Sequence, residues 1–166
     1  MKPALVVLAA GASRRLGRCK ALVEVAGETI LARLLHAGRS LNEVPPLVIS
    51  GAHHDRIAAA TPNNVEVVRN ETWELGRTGS VRTARDARAG HALVIAPVDV
   101  PLVPEAVFRS LSDAWTRAGE PPLGWLAPRV LNGNLAQFGH PVVIGPALLE
   151  KLSDFADDTP LSHLRT

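Results

Sequence analysis

The sequence predicts a three-layer α/β sandwich, a mostly parallel sheet with helices on both faces, and three observations predict it. Short apolar runs alternate with helical patterns along the chain. The runs are apolar at nearly every position, as strands covered on both faces must be. A length of 166 residues with 46% apolar composition suits one domain that buries roughly two-thirds of its unfolded surface.

The elements come in a regular order. Residues 4–10 (ALVVLAA) form the first strand. Residues 29–41 place Ile30, Leu31, Leu34, Leu35 and Leu41 at helical spacing. Residues 46–50 and 65–68 are the second and third strands, and 78–89 a helix with several arginines on its surface. Residues 92–98 are the fourth strand, and 104–118 a helix with Pro104 at its first position. Pro121-Pro122 marks a loop. Beyond it, 124–130 and 141–144 read as strands, with a turn at Asn132-Gly133-Asn134 between them. Connections should be right-handed, and ligands should sit beyond the carboxyl ends of the strands. The single domain, 1–166, then divides into a ligand-binding part at about 1–120 and a lobe at 121–166 that closes over a second substrate.

Composition excludes several classes. The net charge of +2 argues against a dedicated DNA binder. With three Trp, three Phe and no Tyr there is no stacking platform for single strands, so no nucleic acid is expected. The longest apolar run, 4–10, is far short of the roughly 20 residues that cross a bilayer, so no membrane is expected either. That run resembles a leader's apolar core, but no cleavage site follows and Arg14, Arg15 and Arg18 come next. The lone Cys19 permits no internal disulfide and no cysteine-based zinc cage; it reads as a tolerated loop residue and fits a reducing, cytoplasmic compartment.

The main signal is the loop after the first strand, Leu8-Ala9-Ala10-Gly11-Ala12-Ser13-Arg14-Arg15-Leu16-Gly17-Arg18-Cys19-Lys20. Four cations lie between Arg14 and Lys20, a local field suited to a polyphosphate. Ala9, Ala10 and Gly11 let a ligand approach the backbone, whose N–H groups can form an anion nest. Arg15 and Lys20 can neutralise phosphate oxygens, one as a fork and one as a point charge, and Gly17 lets the loop turn back between them. Neither G-x-x-x-x-G-K-[ST] nor G-x-G-x-x-G is present, which excludes a Walker A loop and a dinucleotide fingerprint.

These residues resemble the MobA-like nucleotidyltransferases, whose signature is L-A-A-G-x-S-x-R-[ML]-G-x-x-K. Leu8, Ala9, Ala10, Gly11, Ser13, Arg15, Leu16, Gly17 and Lys20 match it, nine fixed positions in thirteen residues. By pattern the molybdenum cofactor cytidylyltransferases are nearest, since the guanylyltransferases more often carry a second glycine where Ala10 stands. The resemblance extends to Asn70-Glu71-Thr72-Trp73-Glu74-Leu75-Gly76-Arg77-Thr78-Gly79-Ser80, similar to N-x-x-W-x-x-G-x-x-x-S, which implies Gly76 and Ser80 near the base or sugar. Asp99 and Pro101 match the family's D-x-P, whose Asp binds Mg²⁺ at the triphosphate. Gly139-His140-Pro141 matches a segment near the acceptor, implying that His140 binds or positions it.

The pattern departs from the family at the C-terminus. Relatives continue with a G-D element and a D-x-D-T-P-x-D stretch, and Asp157-Asp158-Thr159-Pro160 is a partial echo of one or the other. Either Asp157 or Asp158 is then a candidate second metal ligand, or Asp158 or Thr159 caps a short final helix with Pro160 just inside it.

The resemblance implies a Rossmann-like nucleotide-diphospho-sugar transferase fold and chemistry of the EC 2.7.7 type. A nucleoside monophosphate would pass from a triphosphate, CTP favoured, to a phosphorylated acceptor such as molybdopterin, with Mg²⁺ on Asp99 and pyrophosphate as product. Arg15, Lys20 and Asp99 would be catalytic. Leu8, Ala9, Ala10, Gly11, Ser13, Gly17, Asn70, Gly76 and Ser80 would join them in binding nucleotide, and His140 would bind acceptor. The alternatives are sugar-1-phosphate nucleotidyl transfer, molybdenum cofactor guanylyl transfer, and a nucleotide-binding domain without catalysis.

Overall fold

The computed structural model describes residues 3–41, 43–132 and 135–165. Along the chain run β1 (Ala4–Ala9), β2 (Glu24–Val25), β3 (Glu28–Thr29), α1 (Ile30–Ala37) and β4 (Leu47–Ser50). Next come α2 (His54–Ala60), β5 (Glu66–Arg69), α3 (Arg77–Ala87), β6 (Leu93–Pro97) and α4 (Glu105–Arg117). The last third holds β7 (Trp125–Leu126), β8 (Arg129–Asn132), β9 (Leu135–Phe138), β10 (Val142–Ile144) and α5 (Pro146–Glu150).

The main sheet has the order β5-β4-β1-β6-β10-β7. Its first four strands are parallel; β10 runs antiparallel to β6, and β7 antiparallel to β10. Every side chain of β1 is buried, because alternate residues enter separate cores. Leu5, Val7 and Ala9 face Leu31 and Leu34 of α1 and Phe108, Leu111 and Trp115 of α4. Ala4, Val6 and Leu8 share the other core with Val81 and Ala84 of α3 and Leu148 and Leu149 of α5. Helices therefore cover both faces, as the apolar runs require. Phe108 alone, fully buried, contributes about 2–3 kcal/mol of burial.

Several boundaries differ from the sequence reading. The helix expected through Leu41 stops at Ala37, because Gly38 ends it and a 3-10 turn, Arg39–Leu41, takes over. Its start is set by Thr29, whose hydroxyl accepts a hydrogen bond from the Ala32 N–H at 3.1 Å. Pro104 is the N-cap of α4 rather than its first helical residue. The segment expected as one strand at 124–130 is split: β7 joins the main sheet, while β8 pairs with β9 in a separate hairpin. Of the expected turn at Asn132-Gly133-Asn134, residues 133 and 134 lie outside the described residues.

The arginines of α3 are not simply surface residues. Arg88, just past its end, is 8% exposed and donates to Glu66 Oε2 at 2.7 Å and the Pro45 carbonyl at 2.9 Å. Arg82 binds the C-terminal segment through carbonyls of residues 152 and 155. Cys19, read as a loop residue, is buried in the first core at 3% exposure. No helix among the described residues is long and apolar enough to cross a membrane.

Candidate active site

The carboxyl ends of β1 and β6 lie side by side, with Val7 opposite Ala96 and Leu8 opposite Pro97. This pairing brings together the loop from Ala10 after β1 and the Val98-Asp99 segment after β6. A cavity of about 320 Å³ opens between them. Its walls are Leu8, Ala10, Gly11, Ser13, Lys20, Trp73, Gly76, Arg77, Ser80, Pro97, Val98 and Asp99.

The loop holds its shape through its own backbone. Ser13 adopts φ +52°, uncommon for a residue with a side chain. Its carbonyl accepts from the Leu16 N–H at 2.9 Å, and its hydroxyl from the Lys20 N–H at 3.2 Å. From outside, His53 Nε2 lies 3.1 Å from the Ala12 carbonyl oxygen, and the Ala52 N–H donates to the Ala10 carbonyl at 3.0 Å. Gly51 allows this approach: a β-carbon there would stand 2.5 Å from the Ala10 oxygen and 2.6 Å from Trp73 Cβ.

Across the cavity mouth, Lys20 Nζ lies 2.7 Å from Asp99 Oδ1, and Arg77 Nη2 lies 3.6 Å from Asp99 Oδ2. These side chains are 37%, 54% and 53% exposed for Lys20, Arg77 and Asp99. Exposed pairs of this kind stabilise a fold by only about 0–1 kcal/mol. The cluster thus places two cations and an acid together at the cavity wall without adding much to the fold's stability.

Gly76 and Ser80 reach the cavity from the start of α3. Gly76 has φ +147°, and a β-carbon there would run into the Asp157 carbonyl. Asn70, 3% exposed, does not line the cavity; its Nδ2 donates to Ser80 Oγ at 3.0 Å and fixes that hydroxyl. Its Oδ1 meanwhile accepts from the Thr72 N–H at 3.0 Å, anchoring the turn that carries Trp73.

A second cavity, about 540 Å³, adjoins the first at Gly76 and Arg77. It is bounded by Trp125, Phe138, His140, Asp158, Thr159 and Arg165, among others. His140 Nδ1 and Trp125 Nε1 are buried there without a hydrogen-bond partner. Burial, reinforced by the Arg77 guanidinium, pulls the His140 pKa below its ordinary 6.5 against smaller opposing effects of the Ile95 backbone and Asp99, which favours neutral imidazole.

The structure thus gathers Leu8, Ala10, Gly11, Ser13, Lys20, Gly76, Ser80 and Asp99 in one cavity, with His140 in the next. Four residues expected to touch nucleotide are not in that lining: Asn70, which sits behind Ser80, and three others. Ala9 points into the core at 4% exposure, Arg15 sits on an exposed 3-10 turn, Arg14–Leu16, and Gly17 closes that turn at φ +66°. Arg77 and Trp73 lie in the cavity wall without having been singled out in the sequence, although both fall inside the quoted 70–80 motif. As for the candidate second metal ligands, Asp157 Oδ1 is 2.5 Å from Arg82 Nη1 and faces α3, whereas Asp158 lines the second cavity. Among the described residues no three His, Cys, Asp or Glu side chains cluster as a metal cage.

By sequence this is a domain of the NTP transferase class. The profile of the MobA-like NTP transferase domain matches residues 5–166, and the chain belongs to that family. Bifunctional protein GlmU of Roseobacter denitrificans is 28% identical over 165 residues, covering 96% of this chain and 35% of that protein. The chain therefore spans about a third of the length of such curated relatives. The solved structure of Rv0371c from Mycobacterium tuberculosis H37Rv superposes with a TM-score of 0.76 at 25% identity, covering 99% of this chain and 82% of that one. The same mycobacterial protein has been solved as a complex with manganese. Molybdopterin-guanine dinucleotide biosynthesis protein A from Archaeoglobus fulgidus shares the fold, with a TM-score of 0.60 at 16% identity over 90% of this chain and 71% of that one.

Proposed function

We propose that the chain transfers a nucleoside monophosphate from a triphosphate, CTP in preference, to a phosphorylated acceptor such as molybdopterin, releasing pyrophosphate. The observation that carries this reading is the Lys20–Asp99 pair at 2.7 Å across the mouth of a cavity floored by Ala10 and Gly11. A cation and an acid facing each other beside exposed backbone suit a triphosphate with its metal. Ala10 in place of a glycine, and Gly139-His140-Pro141 beside the second cavity, favour CTP and the cytidylyl branch.

The residues present fit Mg²⁺. One carboxylate completed by substrate phosphates and water is the usual way to hold this ion, and Asp99 stands half-exposed where phosphates would lie. Asp99 would hold the ion, which when bound neutralises phosphate charge and orients the leaving group. The chain's own work is then positioning and electrostatics. Backbone N–H groups about Gly11 and Ser13 bind phosphate oxygens, and Lys20, released from Asp99, offsets their charge. Ser80, fixed by Asn70, borders the base or sugar, and His140 borders the acceptor. An acceptor phosphate is already ionised at neutral pH, so its attack on the α-phosphorus needs no general base.

The test is Mg²⁺-dependent pyrophosphate release from CTP, GTP, UTP and ATP, each with molybdopterin and with sugar 1-phosphates. Sugar phosphates are included because sugar-1-phosphate nucleotidyl transfer is the alternative that the loop after β1 shares. CTP with molybdopterin is expected to turn over fastest. Lys20→Ala and Asp99→Ala are each expected to lower release at least tenfold, roughly 1.4 kcal/mol of transition-state stabilisation. Wild-type rates in both variants would defeat the site assignment. Nucleotide binding without turnover on any acceptor would favour a non-catalytic domain.

A further inference from the structure

Arg77 opens α3 and is the one charged residue, among those described, that lines both cavities. Lys20 borders only the first, and Arg165 only the second. The Arg77 guanidinium is 3.6 Å from Asp99 Oδ2, the oxygen that Lys20 leaves free, and its field reaches His140 on the other side. We propose that Arg77 is a catalytic residue that binds the transferring α-phosphoryl group and stabilises its transition state.

This rests on the nucleotidyl-transfer reading. The α-phosphorus is the atom at which donor meets acceptor, so it must lie where their cavities meet. There an acceptor phosphate oxygen forms its bond to the α-phosphorus. The bond from that phosphorus to the oxygen bridging the β-phosphate breaks, and its electron pair departs with pyrophosphate. No proton moves. Negative charge shifts among the oxygens about the α-phosphorus during the step, and a planar fork of N–H donors matches paired phosphate oxygens in a way an ammonium does not. Without substrate, Asp99 takes the place of that anion. At 54% exposure the side chain packs little, so its removal should hardly disturb the fold.

The experiment measures steady-state pyrophosphate release by the whole chain with Mg²⁺ and the triphosphate–acceptor pair that turns over, in wild type, Arg77→Lys and Arg77→Ala. Arg77→Ala should lower kcat on the order of 100-fold. KM for either substrate should change by less than about threefold, since the contact strengthens only in the transition state. Arg77→Lys keeps the charge but loses the fork, and should remain at least about tenfold below wild type. Added guanidinium at low millimolar concentration should restore part of the Arg77→Ala rate, which a purely structural role would not allow. A kcat for Arg77→Ala close to wild type overturns the proposal. So does a loss confined to the acceptor's KM, which would make Arg77 a recognition residue. Failure of the wild type on every pair overturns the nucleotidyl-transfer reading itself, and this proposal with it.

Discussion

Gly76 is the residue on which the site turns most tightly. It precedes α3 at φ +147°, a backbone region that residues with a β-carbon rarely occupy, and the Asp157 carbonyl fills the space a side chain would need. Gly76→Ala meets strain and a backbone clash together, and a loss of about 2–4 kcal/mol is expected. Urea unfolding followed by fluorescence of the three tryptophans measures it. A variant within about 0.5 kcal/mol of wild type would contradict the geometry. At this scale the sequence was legible where chemistry is local. Gly11, Ser13, Lys20 and Asp99, singled out by side-chain type and spacing, all line one cavity. Arg77 was not singled out, because its place facing Asp99 and two cavities at once is not stated by the order of residues 70–80. Asn70 was legible as belonging to the site but not as a support for Ser80, since the order of residues does not reveal which hydroxyl its amide reaches.

Among the elements, α3 brings Arg77 and Ser80 to the site and is fastened by the C-terminal segment. Its first turn has no side-chain cap; instead the Thr78 N–H donates to the Asp157 carbonyl at 3.3 Å, and the Thr78 hydroxyl to the Thr159 carbonyl at 2.5 Å. One turn on, Arg82 donates to the carbonyls of Leu152 at 2.9 Å and Phe155 at 2.5 Å, and to Asp157 Oδ1 at 2.5 Å. The segment held this way brings Asp158, Thr159 and Pro160 to the second cavity. Arg82→Ala leaves those carbonyls and Asp157 without their donor, and should cost about 2–4 kcal/mol. Hydrogen exchange should show lost protection at residues 152–159 and at the start of α3, with β1 and β4 unchanged. Unaltered exchange there would show that the segment is held by something else. The sequence reading put the arginines of this helix on the surface because periodicity reveals which positions are apolar, not which polar ones meet a distant loop. The same limit explains why α2 and α5 were missed. Each is short, seven and five residues, and Gly145-Pro146 reads as a breaker until the structure shows Pro146 at a helix start.

Over the whole molecule, the parallel core β5-β4-β1-β6 was legible in four apolar runs: β1, β4 and β6 are buried along their whole length and leave little room for polar residues, while the edge strand β5 keeps Glu66 and Arg69 exposed around Val67 and Val68. The strands β10 and β7 were expected within 141–144 and 124–130, but not their antiparallel direction, since strands of three and two residues carry too little pattern to declare one. That added edge is where His140 lies, and its neutral imidazole links the lobe to pH. The folded pKa is below the ordinary 6.5, so the unfolded chain binds the proton first as pH falls. The corresponding stability is complete above about 6.5 and is lost as pH drops through that value toward the lower folded one. Wild type should therefore lose more unfolding free energy than His140→Asn between about pH 7 and 5. Parallel curves for the two proteins would show that His140 is not held neutral by the fold.

The central claim is that the Lys20 loop and the acid at the end of β6 together grip a triphosphate and its metal. Crystals soaked with CTP and Mn²⁺, the manganese standing in for Mg²⁺ to give an anomalous signal, test it most directly. The account predicts a manganese peak within coordination distance of the Asp99 carboxylate, with phosphate density against Gly11, Ser13 and Lys20. A manganese peak away from Asp99, or nucleotide density outside the cavity between β1 and β6, would contradict it.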